Sequence, residues 1–342
     1  MPTRGELPPP ADAGLFGADT RVADADVVVV GVPWEPTVSY GRGTSAAPAA
    51  IAAASHQLDV YDPFLDADFD EQAALAPLRE DWIALNAHAC RDASAILAAR
   101  ARLTPELGAK LAGVNRASER LNRELEEEVS RLLAAGKSVG VFGGDHSSPL
   151  GAMLAQLAHH GSCGVLHIDA HFDLREAYEG FTHSHASIMY NLLAASDQVE
   201  ALVPVAIRDY SREEAALAAE RAEITPFLAR DLARARFAGR PWRDLCAEIV
   251  AALPERVYVS FDIDGLDPRL CPHTGTPVPG GLAFEEAVHL LESVVASKRR
   301  IIGFDLVEVA PDLERPHDEW DLNVGARLLH KLCALTWMSR RA

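Results

Sequence analysis

Residues 164–173 read Gly-Val-Leu-His-Ile-Asp-Ala-His-Phe-Asp: an apolar run of strand length that gives way to Asp169, His171 and Asp173. On an extended backbone, residues two apart leave the same face. Two carboxylates and an imidazole therefore share one side of a strand end. Such groups repel one another and are costly to desolvate unless something positive sits between them. A divalent cation is the economical partner. Two further stretches repeat the pattern. Residues 139–146, Val-Gly-Val-Phe-Gly-Gly-Asp-His, turn at Gly143-Gly144 into Asp145 and His146. Residues 257–267, Val-Tyr-Val-Ser-Phe-Asp-Ile-Asp-Gly-Leu-Asp, put Asp262 and Asp264 on one face.

The elements that must carry these groups follow from hydrophobic periodicity. Residues 26–32 form a continuous apolar run, a strand buried on both faces. Residues 33–48, rich in Gly, Pro, Ser and Thr, read as the loop at its end, and 49–58 as a helix. Leu121, Leu125, Val129, Leu132 and Leu133 make one stripe of an amphipathic helix over 118–135, stopped by Gly136. Helices are also expected at 149–160, 187–194, 284–297 and 323–338, with strands at 203–208 and near Ile301. Strands alternating with helices imply an α/β protein: three layers, α/β/α, around a central, mostly parallel sheet. In such sheets ligands sit beyond the carboxyl ends of the strands, so three strand ends can converge on one site. Residues 1–25 read as a tail and 26–342 as a single domain. Residues 63–117, rich in Ala and charge, carry no catalytic pattern.

At these residues a family likeness appears. Gly143-Gly144-Asp145-His146, Asp169-Ala170-His171-Phe172-Asp173, residues 260–268 (Ser-Phe-Asp-Ile-Asp-Gly-Leu-Asp-Pro), Thr274-Gly275-Thr276-Pro277 with Gly280-Gly281, and Gly303-Phe304-Asp305-Leu306-Val307-Glu308 stand in order. Together they resemble the ureohydrolases, the arginase and agmatinase superfamily of binuclear manganese enzymes. The resemblance implies an arginase-like fold, with 63–117 as a helical insertion. It implies metal ligands His146, Asp169, His171, Asp173, Asp262 and Asp264, whose four carboxylates balance two divalent ions. Carboxylate-rich ligation with two imidazoles suits two Mn2+ better than zinc, although donor type alone also admits Ni2+, Co2+ or Fe2+. It further implies hydroxide attack on a guanidinium carbon, release of urea and an amine, and a homotrimer or homohexamer.

The catalytic set that the resemblance implies is His185, Glu308 and Asp173. His185 would shuttle a proton to the departing amine, with His183 as its rival, because Ala186 stands where the family has Gly. Glu308 would hold the guanidinium by a charge-assisted bond, and Thr276 would shape the rim. Asp145 and Asp267 would stand behind the ligands, with Asp267-Pro268 also opening a turn. His167 shares the face of Asp169 but lies deeper in the strand, and reads as a hydrogen-bonded core histidine.

Composition narrows the partners. Lys and Arg total 32 and Asp and Glu 50, a net charge of −18, which argues against nucleic acid. No apolar run approaches the roughly 20 residues of a membrane span. Residues 1–10 are polar and Pro-rich, unlike a signal peptide. Five cysteines without a Cys-x-x-Cys pair read as reduced thiols of a cytoplasmic protein.

The substrate is the open question. After Asp173, arginases place a polar loop for the α-amino-acid head; here the loop is Leu174-Arg175-Glu176-Ala177-Tyr178-Glu179-Gly180-Phe181. A poor arginase is expected, with agmatine preferred: Glu176 or Glu179 would meet its distal ammonium. Arg175 would instead receive the carboxylate of 4-guanidinobutanoate, and Tyr178 with Phe181 would close over free guanidine. Formiminoglutamase, a single-zinc deacetylase and a catalytically silent metal-binding subunit are the remaining readings.

Overall fold

The computed structural model describes residues 9–10, 13–99, 104–315 and 317–341. Its strands are β1 (Val27–Val32), β2 (Tyr61–Asp62), β3 (Ala67–Asp68), β4 (Ala73–Leu75), β5 (Ser138–Gly143), β6 (Cys163–Ile168), β7 (Val199–Val205), β8 (Arg256–Asp262) and β9 (Arg300–Val307). Its α-helices are α1 (Ala47–Ala54), α2 (Glu80–Ala98), α3 (Pro105–Ala134), α4 (Leu150–His160), α5 (Ile188–Ala195), α6 (Arg212–Glu220), α7 (Ala229–Phe237), α8 (Trp242–Ala251), α9 (Phe284–Ala296) and α10 (Trp320–Ser339).

Seven strands form one sheet in the order β4-β1-β5-β9-β8-β6-β7, every neighbouring pair parallel. β2 and β3 pair antiparallel outside it. The central strands read as unbroken apolar runs because both faces are covered. On β1, Val27 and Val29 join the core under α1, α8, α9 and α10, while Val28, Val30 and Val32 join the core under α3 and α4. The layered α/β/α expectation holds, and the sheet is parallel throughout.

Three expectations need correction. α3 starts at Pro105, not near 118: Pro105 occupies the first helical turn and the Thr104 side chain accepts a hydrogen bond from the Leu107 amide. Residues 63–117 are also not helical alone. They supply β4, the edge strand beside β1, and α2, whose Trp82 is buried and donates from Nε1 to Glu124. Of the expected tail, residues 1–8 and 11–12 lie outside the described residues. Leu15 and Phe16 are buried in the main core, with the Phe16 ring edge-on to His330 at 4.9 Å, so the packed body begins before Asp26. All five cysteines are free thiols, and among the described residues no helix is long and apolar enough to cross a membrane.

Candidate metal centre

The carboxyl ends of β5, β6 and β8 reach the same edge of the sheet because each neighbouring pair in the run β5-β9-β8-β6 is parallel. The turn after β5 sits directly on the loop after β1. A Cβ on Gly144 would fall 1.6 Å from the Trp34 carbonyl oxygen, so only glycine fits. The Asp145 amide donates to that same carbonyl. This contact delivers His146 into the centre.

His146 Nδ1 lies 3.1 Å from Asp169 Oδ2, 3.0 Å from Asp173 Oδ2 and 3.3 Å from Asp262 Oδ2. His171 Nδ1 lies 3.4 Å from Asp169 Oδ1 and 3.2 Å from Asp264 Oδ2. Asp169 thus stands between two clusters, offering one oxygen to each. All six side chains named from the sequence meet here, and five of the residues are buried; His171 is partly open. Asp262 Oδ1 accepts from the Asp264 amide, and Asp264 Oδ1 from the Ala170 amide, so the turn after β8 locks onto the turn after β6.

The electrostatics mark a cluster short of positive charge. Burial, then Asp264 and Asp169, push the Asp262 carboxyl well up; burial and Asp169 raise Asp173 to about 6. Against the cost of burial, Asp169, Asp173 and Asp262 hold His146 toward its protonated form, and Asp264 and Asp169 raise His171 to about 12. His146 Nδ1 is buried without a hydrogen-bond partner while facing three carboxylates. A buried nitrogen and four carboxylates converging in this way fit divalent cations. Among the described residues, two groups of donor atoms lie close enough to hold an ion: His146, His167, Asp169 and Asp173, and Asp169, His171 and Asp264.

A buried frame holds the centre. His146 Nε2 is 2.9 Å from Ser260 Oγ, which donates to Asp305 Oδ1 at 3.0 Å; Ser260 and Asp305 are register partners on β8 and β9. Asp145 is buried beside the centre and accepts from the amide and hydroxyl of Thr37 and of Ser147. Asp267 does not stand behind the ligands. Its carboxylate is taken up by Arg269 at the surface, and its carbonyl closes a turn to Leu270. Ser260 and Asp305 stood inside recognised motifs, and β-strand alternation was the signal for them. Nothing local flagged Thr37. Asp173, Ala206 and Glu308 have φ of 54°, 72° and 62°, left-handed conformations that cost about 1–3 kcal/mol each outside glycine. Such strain gathers where a site over-determines the backbone.

A cavity of about 490 Å3 opens over His171 and Asp173, walled by His185, Thr276, Arg175 and Tyr178 and reaching Asp209, Tyr210, Ser39 and Tyr40. His185 is held through its backbone amide by Thr37 Oγ1 at 3.1 Å, and burial with nearby His171 lowers it to about 4. His183 lines a separate groove, with Asn122 Nδ2 3.4 Å from its Nδ1. Glu176 and Glu179 are exposed and form no part of the cavity wall, because the loop between them turns their side chains outward while Tyr178 faces in. Arg175 is on the wall but already paired, 3.4 Å from Glu214 and 5.0 Å over the Tyr178 ring. Phe181 is buried against α2 and α3 instead of closing the cavity. Glu308 stands just behind the wall: its Oε1 accepts from the His146 amide, its Oε2 is unpartnered, and burial with Asp145 pushes its carboxyl well up. Gly275, on the wall, has no side chain; a Cβ there would come within 3.3 Å of Glu308 Oε2. Asp209, Glu214, Tyr40 and Tyr210 had no motif to announce them.

Comparison with known proteins agrees with this geometry. The chain is 35% identical over 299 residues to an N(1)-aminopropylagmatine ureohydrolase of Thermus thermophilus, covering 87% of each chain. It is 30% identical to the agmatinase of Sodalis glossinidius, covering 84% of this chain and 80% of that one. The crystal structure of agmatine ureohydrolase from Thermoplasma volcanium superposes with a TM-score of 0.68 at 25% identity, over 98% of this chain and 96% of the other. With residues 25–334 matching the Arginase family, and its metal-ligand pattern assembled at one sheet edge, the chain belongs to the Arginase family.

Proposed function

We propose that this protein hydrolyses the guanidino group of a linear guanidino-amine, agmatine or its N-aminopropyl extension, to urea and the corresponding amine. The observation that carries the reading is the cavity itself. Its floor is His171, Asp173 and His185, and its mouth carries Asp209 with the exposed Tyr40 and Tyr210. A guanidinium at the floor leaves a cationic tail beside a carboxylate and two aromatic faces, which suit ammonium groups. The names borne by the relatives support the same class. A guanidino acid is disfavoured because Arg175 is already countered by Glu214.

In this reading His146, Asp169, His171, Asp173, Asp262 and Asp264 hold two divalent cations, Mn2+ by donor type. Cations there would supply a hydroxide nucleophile at neutral pH. Glu308 offers its free Oε2 to the guanidinium. Thr276 Oγ1, donating to Asp264 Oδ2 at 3.3 Å, fixes the rim. His185 is neutral at pH 7, so it accepts a proton and passes it to the departing amine. Its Nδ1 faces Thr37 Oγ1 at 3.4 Å, leaving Nε2 as the exchanging atom.

Urea release from manganese-loaded enzyme tests this on N(1)-aminopropylagmatine, agmatine, arginine, 4-guanidinobutanoate and guanidine. The two amines should lead by kcat/KM. Arginine or guanidinobutanoate as best substrate overturns the reading, and ammonia without urea from a formimino substrate indicates formiminoglutamase.

A further inference from the structure

His167 lies on β6 with no exposed surface, two residues before Asp169, which follows the strand's last residue, Ile168. Its Nε2 is 2.8 Å from Asp169 Oδ2. An ionised carboxylate only accepts, so the imidazole proton belongs on Nε2. The other oxygen of the same carboxylate, Oδ1, accepts from the His171 amide at 2.5 Å. Asp169 is therefore pinned at both oxygens, one from the turn it opens and one from the strand that precedes it.

His167 also belongs to the group of four side chains whose donor atoms could share one ion, so its role has to be decided. Its surroundings differ from those of the other two histidines. His146 Nδ1 faces three carboxylates and His171 Nδ1 faces two. Among the described residues, His167 has only Asp169 within ion-pairing reach. A nitrogen aimed at a shared ion should look onto all of that ion's carboxylates; one aimed at a single oxygen is a donor to it.

We propose that His167 is a positioning residue of the metal centre: its Nε2–H holds Asp169 Oδ2, fixing the plane of the carboxylate that stands between the two clusters, and it does not ligate an ion itself. This rests on the metal reading above. A carboxylate serving two ions must present both oxygens at set angles, and one free to rotate about χ2 spends part of its time aimed at neither. Partners of metal ligands of this kind typically change metal affinity or activity about 10- to 100-fold when removed.

The test compares His167→Gln with His167→Asn, using Mn2+ as the probe. The glutamine amide reaches the position of imidazole Nε2 and still donates, whereas asparagine is too short to reach Asp169. Ion count per chain is read by elemental analysis at saturation, and affinity by chelator competition. The wild type and the glutamine variant should each bind two ions with affinities within several-fold of one another. The asparagine variant should also bind two, with affinity about 10- to 100-fold lower, and lose kcat more than KM changes. Wild-type affinity in the asparagine variant overturns the proposal. One ion at saturation in the glutamine variant also overturns it and makes His167 a ligand; that variant decides the matter even if the asparagine variant does not fold. A wild type that binds no ion removes the metal reading itself, a result separable from either.

Discussion

Thr37→Val should uncouple the loop after β1 from the reaction centre. Thr37 is fully buried. Its Oγ1 donates to Asp145 Oδ2 at 2.8 Å and accepts from the His185 amide at 3.1 Å. Valine has the same shape, so no cavity opens and the perturbation is the lost hydroxyl alone. A hydrogen bond to a charged group contributes about 1.5–3 kcal/mol, and a buried donor left unpaired costs about 1–3 kcal/mol. Asp145 keeps three donors, from the Thr37 amide and from Ser147. The low end therefore applies, about 2.5 kcal/mol in total. With an unfolding entropy of about 2.1 cal/mol/K per residue, that loss lowers Tm by about 3.5 °C for a chain of this length. Losing the anchor of His185 should also cut kcat by roughly tenfold, since misplacement by a fraction of an ångström degrades proton transfer. Thr37→Ser restores the hydroxyl and should recover both. Calorimetry and steady-state urea release are the assays. A valine variant with unchanged Tm and kcat would refute the role of Thr37, and a serine variant as impaired as valine would move the cause to the lost methyl group.

His185→Asn should lower turnover with both ions still bound, and His183→Asn should do little, because His183 faces a different groove; the reverse ranking would exchange the two roles. Burial and His171 hold His185 near 4, below its usual 6.5, so it stays neutral as pH rises from 5 to 8, and a pH profile of kcat should show no limb near 6.5 that His185→Asn abolishes. Asp169→Asn removes the charge between the two clusters and should leave fewer than two ions per chain by elemental analysis; two tightly held ions in that variant would count against Asp169 as the shared ligand. A trimer or hexamer is expected by light scattering at micromolar concentration, and a monomer would show that assembly does not follow the family resemblance.

The sheet was readable in the chain because it rests on short-range rules, and the six side chains that meet at its carboxyl edge stood inside family motifs. Unbroken apolar runs marked strands covered on both sides, but β6 ends at Ile168, so Asp169, His171 and Asp173 are brought together by the turn that follows and not by strand alternation, and Asp173 takes a left-handed φ of 54°. Element ends were less legible: β4 is three residues long and forms only because β1 offers it an edge, and the early start of α3 depends on a cap at Thr104 ahead of its apolar stripe. The segment expected to be a tail docks Leu15 and Phe16 because α10 presents His330 to them from the far end of the chain.

The order and residue types of the carboxylates and imidazoles at the strand ends were determined by the sequence alone. The tertiary structure decided everything that depends on which way a loop faces. Arg175 looked available for a carboxylate until α6 brought Glu214 against it. Glu176 and Glu179 looked like ammonium partners, yet neither lines the cavity, whose wall includes Asp209 after β7. His183 and His185 stand two residues apart, and contacts with distant segments place them in different cavities: His185 on Thr37, 148 residues away, and His183 beside Asn122. Strand periodicity is local and survives in one dimension. Loop direction is set by contacts between distant segments, whose partners have no fixed spacing from which to read them.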